Sequence, residues 1–436
     1  MISIIRLSPM RVLALATAIG LAIRFILAPF TTGTYDVSSW AGVINGINMG
    51  EGLYETGYYW YAPTWGYILS FLAPIMDALD VNVQGVVVPD IASGAIYNAN
   101  SRITLPEFNI IYKTPLIISD LIVGLATYGI VKRLRDDHLA FIAFCLWFLN
   151  PLTIWNSSIQ GMFETLSILG MVLSILCLLR GNYFLAGACI AFAGITKLFP
   201  IILVPLMIGY IIARCSGKEA AYGIVRAAAG ATFMFALIFI PVTLTGDFSQ
   251  AFAFLLNRVE SFDSGGSGFD ISHPNWNNIF TVFPLILAVL IVLAAIMAIS
   301  KHDLDRRLLL IATASMCLIF AWPPFPPYHQ YALNMVPLMI LAYSAGHRSM
   351  IVPIVLTSVL FFLTAFFWMG PEVLYPMAAG DLISFDTIGH WMDTMKQPML
   401  YISQLMEYIK FIPALTALVF IVVTLAIRLR KGGICL

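Results

Sequence analysis

Residues 349–369 read SMIVPIVLTSVLFFLTAFFWM, an unbroken apolar run with no acidic or basic side chain. At about 1.5 Å of rise per helical residue it reaches about 30 Å, the thickness of a bilayer's hydrocarbon layer. A membrane-crossing helix is the reading that length and composition support together. Working outward from it, apolar runs of similar kind occur near 10–30, 60–79, 112–132, 138–156, 162–180, 182–213, 221–245, 277–300, 306–322, 328–345 and 408–430. The sequence therefore predicts an all-α, polytopic transmembrane protein with about twelve spans, up to about fourteen, and amphipathic helices in its outer loops. The run at 182–213 is longer than one crossing needs and carries Lys197 and Pro200, which predicts a tilted, kinked or broken helix.

Composition agrees. The 436 residues are 60% hydrophobic and 11% charged, against about 45–50% and about 25% in soluble domains. Lys plus Arg equals Asp plus Glu at 23 each, so no global charge excess exists to attract nucleic acid. The six cysteines sit mostly inside apolar runs or at their ends, without a CxxC pair or metal-ligand spacing, and read as small hydrophobes. Residues 1–29 are basic and then apolar, with no small-residue cleavage site after them, which predicts a retained first span.

Lysine and arginine favour the cytoplasmic ends of spans. Arg6 and Arg11, then Arg214, Lys218 and Arg226, then Lys301, Arg306 and Arg307, and last Arg428, Arg430 and Lys431 all fall inside if the N-terminus is inside. The cluster Lys132, Arg133 and Arg135 disagrees, because the same count puts it outside. A missed crossing or re-entrant segment, compensated by splitting 182–213, would repair the count. Of the longer polar segments, Thr31–Tyr59, Gly246–Asn278 and Gly370–Glu407 are expected outside, and Asp80–Ile111 inside as an irregular loop.

Function is accordingly expected in the outer loops. Asp36 lies just beyond the first span, ahead of an amphipathic stretch reaching Met49, where the head group of a lipid-linked substrate would sit. It is a candidate general base, or simply the N-cap of a helix over 37–49. Tyr58 to Tyr67 is aromatic enough either for an interfacial belt or for stacking on a sugar ring. The outer loop 246–276 carries a short amphipathic helix with Arg258, the hinge Gly265-Gly266-Ser267-Gly268, and Trp276, a lid-like combination in which Arg258 either clamps a phosphate or snorkels to lipid head groups. Four prolines within residues 323–327 make a rigid outer connection leading to Tyr328 and His329. His329 reads as a polar helix cap or as a catalytic group. Within the spans, Arg24, Asp120, Glu164 and Lys197 are costly in hydrocarbon and are either functional or paired with one another. No Walker loop, HExxH or GxSxG is present.

The order of these features is what carries a family resemblance. Arg24 leads to Tyr35-Asp36, then Leu53-Tyr54 and Tyr61-Ala62-Pro63, Asp120, Asn150-Pro151 with Gly161 and Glu164, Thr196-Lys197-Leu198-Phe199-Pro200, and Tyr328-His329-Gln330-Tyr331 with Pro337. Over about the first 345 residues this resembles GT-C-type membrane glycosyltransferases, nearest in character to polyprenyl-phosphate-mannose-dependent mannosyltransferases. The resemblance implies a catalytic module, here 1–276 with the first outer loop 31–59 and the lid-like loop 246–276, and a variable C-terminal module, 277–436. It implies an inverting transfer from a polyprenyl-phosphate sugar to a lipid or glycan acceptor on the extracytoplasmic face of a cell membrane, or of the endoplasmic reticulum in a eukaryote. It makes Asp36 the base. Position 38 is Ser, so the Asp-x-Asp pair of some subfamilies is missing, which argues against a metal there; no cofactor is expected.

The residues fit that chemistry on their own terms. An acceptor hydroxyl needs a base, whereas a polyprenyl phosphate leaves readily once its charge is stabilised. Arg258 and His329 are the candidates for the phosphate, Tyr35, Tyr61, Trp276 and Tyr328 for sugar or lipid contacts, and Glu55, Glu164 and Lys197 are secondary candidates. The competing reading is a secondary transporter or lipid-linked-sugar flippase working at midplane through Asp120, Glu164 and Lys197. Such a protein should show paired halves, and no repeat is visible.

Overall fold

A computed structural model describes residues 9–87, 102–252, 289–298, 303–321, 328–409 and 411–430. Helix α1, Pro9–Leu27, runs into a 3-10 turn at Ala28–Phe30. Helix α2 covers Thr34–Asn48 and α3 covers Pro63–Ala78. A two-residue antiparallel ladder of β1, Val86–Val87, and β2, Arg102–Ile103, precedes α4, Pro106–Leu134. Then come α5, Asp137–Phe148, the short α6, Pro151–Ile154, and helices α7, Glu164–Leu179, α8, Tyr183–Thr196, α9, Val204–Arg214, and α10, Lys218–Leu244. Further along the chain lie helices at Val289–Ala298, Leu304–Phe320, Met335–Ser344, Ile351–Met369, Phe385–Ile409 and Phe411–Arg430.

The chain is an integral membrane protein. Among the described residues, four helical stretches are long and apolar enough to cross a bilayer, or five if the bent pair Asp137–Phe148 and Pro151–Gln160 is one span. Their outward faces carry large apolar side chains exposed together, such as Phe233, Leu237 and Ile240 on α10, which in water would be a contiguous sticky patch. The remaining apolar helices are shorter.

Helices α1 and α4 run antiparallel, and this fixes which residues share an end of the bundle. Arg24 meets Asp120, while Lys113, seven residues earlier in α4, reaches the carbonyls of Ala28 and Thr31 beyond the end of α1. The end of α1 and the start of α4 therefore lie together, and the chain between them makes no net crossing. The run at 60–79 was expected to cross and to leave Asp80–Ile111 on the opposite side. Instead α3 packs on α2 through Trp40 and Trp65, and the Arg102 amide donates to Ser38 in the first turn of α2 at 3.2 Å. Segment 80–111, where described, returns to the end at which it began. Within it the described residues form the short ladder, where Gly85 at φ +64° packs directly against the Ile103 carbonyl, and the first turns of α4.

This arrangement also resolves the charge conflict. Lys132, Arg133 and Arg135 close α4 at the end opposite Asp36, where Arg135 donates to the carbonyls of Ser344 and Ala345 at 3.2 and 2.8 Å. Arg214 reaches the Leu179 carbonyl and Asp305 at that same end. The long run 182–213 is broken as expected: Lys197 leaves α8 with extended backbone, and a 3-10 turn at Phe199–Leu203, opened by Pro200, leads into α9. Helix α8 is antiparallel to α7, with Ser167 bonded to the Ala193 carbonyl and Ser174 to that of Ala186. Against α10 it packs through glycines; a Cβ at Gly187 or Gly230 would overlap the facing carbonyl of Ala227 or Phe184.

Candidate active site

Helix α5 stops before Pro151, and the Asn150 side chain caps the next turn by accepting from the Leu152 amide at 2.9 Å. The axis bends by 44° there. Trp155–Gln160 then widens into a π-turn that ends on Gly161 at φ +76°, a conformation that favours glycine. A Cβ at Gly161 would also overlap the Tyr112 hydroxyl, which donates to the Gly161 carbonyl at 3.1 Å. The π-turn thus places Gln160 at the bundle end where α1 finishes.

Gln160 joins two segments. Its carbonyl accepts the Gly33 amide at 2.9 Å, and a Cβ on Gly33 would stand 2.5 Å from that oxygen. The Thr32 amide donates to the Val373 carbonyl at 2.8 Å, so the lead into α2 is held on both sides. On its other side Gln160 presents Oε1 to His329 Nε2 at 2.7 Å; with the carboxamide oxygen facing the ring, Nε2 donates. His329 is buried.

Asp36 is not the N-cap. Gly33 takes that place without a side-chain cap, and Asp36 sits within the first turn of α2, where free backbone amides favour a carboxylate. It is half-buried and close enough for its charge to act on the Tyr112 hydroxyl. Tyr35 lies in the same turn.

Glu164 opens α7, four residues past Gln160, and pairs with Lys197 at 3.0 Å where α8 ends. The Lys197 ammonium lies over the rings of Phe163, Tyr61 and Tyr331 at 4.3, 5.0 and 5.7 Å. Tyr61 meets Phe163 edge-on at 5.1 Å, and Tyr331 meets Tyr328 edge-on at 5.5 Å. The structure therefore gathers Asp36, Tyr61, Glu164, Lys197, Tyr328 and His329 around the Gln160 turn. Glu55 is engaged in its own exposed turn, accepting the Gly52 amide at 2.8 Å. Arg258, Trp276 and the hinge at 265–268 lie outside the described residues.

Arg24 and Asp120, the other in-span charges singled out in the sequence, pair with each other. Arg24 binds Asp120 Oδ2 through Nε at 3.2 Å and Nη2 at 3.1 Å and donates to the Phe148 carbonyl at 2.6 Å, while Ser157 holds the same carboxylate oxygen at 2.6 Å. Asp120 and Lys197 are thus both in buried ion pairs. Three residues escaped the sequence reading: Gln160, Tyr112 and Lys113. Lys113 was hidden at the start of the apolar run 112–132, although a lone cation in a span is itself a signal.

A model described as glycosyltransferase family 87 matches residues 105–322, half of the chain. The crystal structure of ArnT from Cupriavidus metallidurans bound to undecaprenyl phosphate is similar over 93% of this chain and 76% of that one, at 12% identity and a TM-score of 0.44. The apo Archaeoglobus fulgidus oligosaccharyltransferase is similar over 95% of this chain and 56% of that one, at 13% identity and a TM-score of 0.37. No curated protein sequence matches the chain.

Proposed function

The chain belongs to glycosyltransferase family 87, and from that membership we propose that it transfers a hexose, with mannose favoured, from a polyprenyl-phosphate sugar to a hydroxyl of a lipid-linked or glycan acceptor. The observation that carries this reading is the hydrogen bond from Gly33 to Gln160, which sets the turn bearing Asp36 beside the partner of His329. Asp36 takes the acceptor proton as the hydroxyl oxygen bonds to the anomeric carbon. The bond from that carbon to the phosphate oxygen breaks on the opposite face, giving inversion. Arg258 serves the departing phosphate, and His329, whose Nε2–H is held by Gln160, serves it in the imidazolium form, in which Nδ1 also donates. Tyr35, Tyr61, Trp276 and Tyr328 provide sugar or lipid contacts. No metal is required, since the leaving group is already a phosphate and position 38 is Ser.

In this reading the chain crosses about twelve times, through α1, α4, α5 with α6, α7, α8, Phe199–Arg214, α10, Val289–Ala298, Leu304–Phe320, 329–344, Ile351–Met369 and Phe411–Arg430. Helices α2, α3 and Phe385–Ile409 lie at the outer interface. The support is that the basic clusters at 132–135, 214–226 and 306–307 then fall on the cytoplasmic side, opposite Asp36. The catalytic module 1–276 takes His329 from the C-terminal module 277–436.

The test is Asp36→Asn in purified protein supplied with radiolabelled polyprenyl-phosphate mannose and a membrane glycolipid extract. Loss of transfer with normal thermal stability is expected. Transfer at the wild-type rate would overturn the assignment of Asp36.

A further inference from the structure

We propose that Lys113 is a positioning residue for glycosyl transfer, its buried ammonium fixing the segment that leads to Asp36 against the segment that carries Gln160; this rests on the reading of Asp36 as base. Lys113 is fully buried near the start of α4. Its Nζ lies 3.0 Å from the Ala28 carbonyl, 2.5 Å from that of Thr31 and 3.5 Å from the Thr31 hydroxyl. On its other side it lies 3.0 Å from the carbonyls of both Ser158 and Ile159. The first set closes α1 two residues ahead of Gly33. The second is the last turn before Gln160, where the π-turn has left its carbonyls open to an outside donor.

An ammonium has three N–H groups that rotate together, so it can bond to acceptors arriving from different segments at once. Neither methionine nor glutamine can do this: the first donates nothing, and the second offers two donors in one plane. Burying a cation among neutral carbonyls is costly unless each donor is satisfied, and here the acceptors converge from both segments. Tyr112, the preceding residue, donates to the Gly161 carbonyl. One turn of α4 thereby grips both sides of the Gly33–Gln160 contact. The Lys113 ammonium touches no reacting atom in this scheme; it sets the distance between Asp36 and the His329–Gln160 pair.

The experiment uses the full-length protein in lipid nanodiscs with radiolabelled polyprenyl-phosphate mannose. For Lys113→Met, kcat should fall by about 100-fold, as misplacement of a base by about 1 Å does, while KM for the donor changes little. Lys113→Arg, which keeps a multidentate cation, should recover a large part of kcat. A wild-type kcat for Lys113→Met, or a loss confined to KM, would overturn the proposal. If Lys113→Met cannot be purified, hydrogen exchange in Lys113→Gln replaces it: faster exchange confined to 31–36 and 156–161 supports the positioning role, and unchanged exchange there refutes it. This second readout needs no turnover, so transfer by Asp36→Asn would sink the base while leaving the role of Lys113 separately decided.

Discussion

Gly33 donates its amide to the carbonyl of Gln160 across 2.9 Å, with no room for a side chain between them. Gly33→Ala must push α2 and its Asp36 away from the π-turn. Because the facing atom is a main-chain oxygen, no rotamer change relieves the clash. A fall in kcat of about 100-fold is expected from such a displacement, measured as transfer per folded molecule. Wild-type turnover by Gly33→Ala would show that the close approach is dispensable.

Replacing the His329 partner tests the other side of the same turn. Gln160→Leu keeps the volume but removes the acceptor from Nε2, leaving a buried imidazole N–H unpaired at about 1–3 kcal/mol. If His329 stabilises the departing phosphate, this change should lower kcat more with a poor leaving group than with a good one. Equal effects on both would remove His329 from the phosphate side.

How far the sequence could be read is visible in these residues. The apolar runs located most of the helices, because hydrocarbon demands length and composition directly. The break in 182–213 was visible in Lys197 and Pro200. Side assignment failed at 60–79, where α3 is apolar enough to be taken for a crossing but buries its face on α2 and Phe163. Apolarity reports burial, and lipid and protein bury alike. The pairing of Lys197 was legible as chemistry. Gln160 was not, since its importance comes from a π-turn that has no strong sequence signature, and Lys113 was absorbed into an apolar run.

Arg24 and Asp120 are both fully buried, and their pair joins α1 to α4 and the π-turn through Ser157. Removing one partner strands a charge, so Asp120→Leu should destabilise by about 3–5 kcal/mol. The double variant Arg24→Met with Asp120→Leu should recover a large part of that loss. Thermal unfolding in detergent measures both, and transfer per folded molecule should change less than for Gly33→Ala. An undiminished melting temperature for Asp120→Leu alone would contradict the structural role.

Sidedness can be read by labelling single cysteines with a membrane-impermeant maleimide in oriented vesicles. Lys132 and Asp137 form an exposed ion pair at 2.8 Å, so Lys132→Cys is accessible without disturbing the core. Leu382, also exposed, lies just before the helix Phe385–Ile409 at the Asp36 end. The antiparallel run of α1 and α4, combined with the preference of Lys and Arg for the cytoplasm, predicts that Lys132→Cys reacts only from the cytoplasmic face and Leu382→Cys only from the opposite one. Reaction of both from one face would break the separation of the basic end from the Asp36 end. Exchange of the two faces would keep the fold and place transfer in the cytoplasm, where the donor's sugar would have to be presented instead.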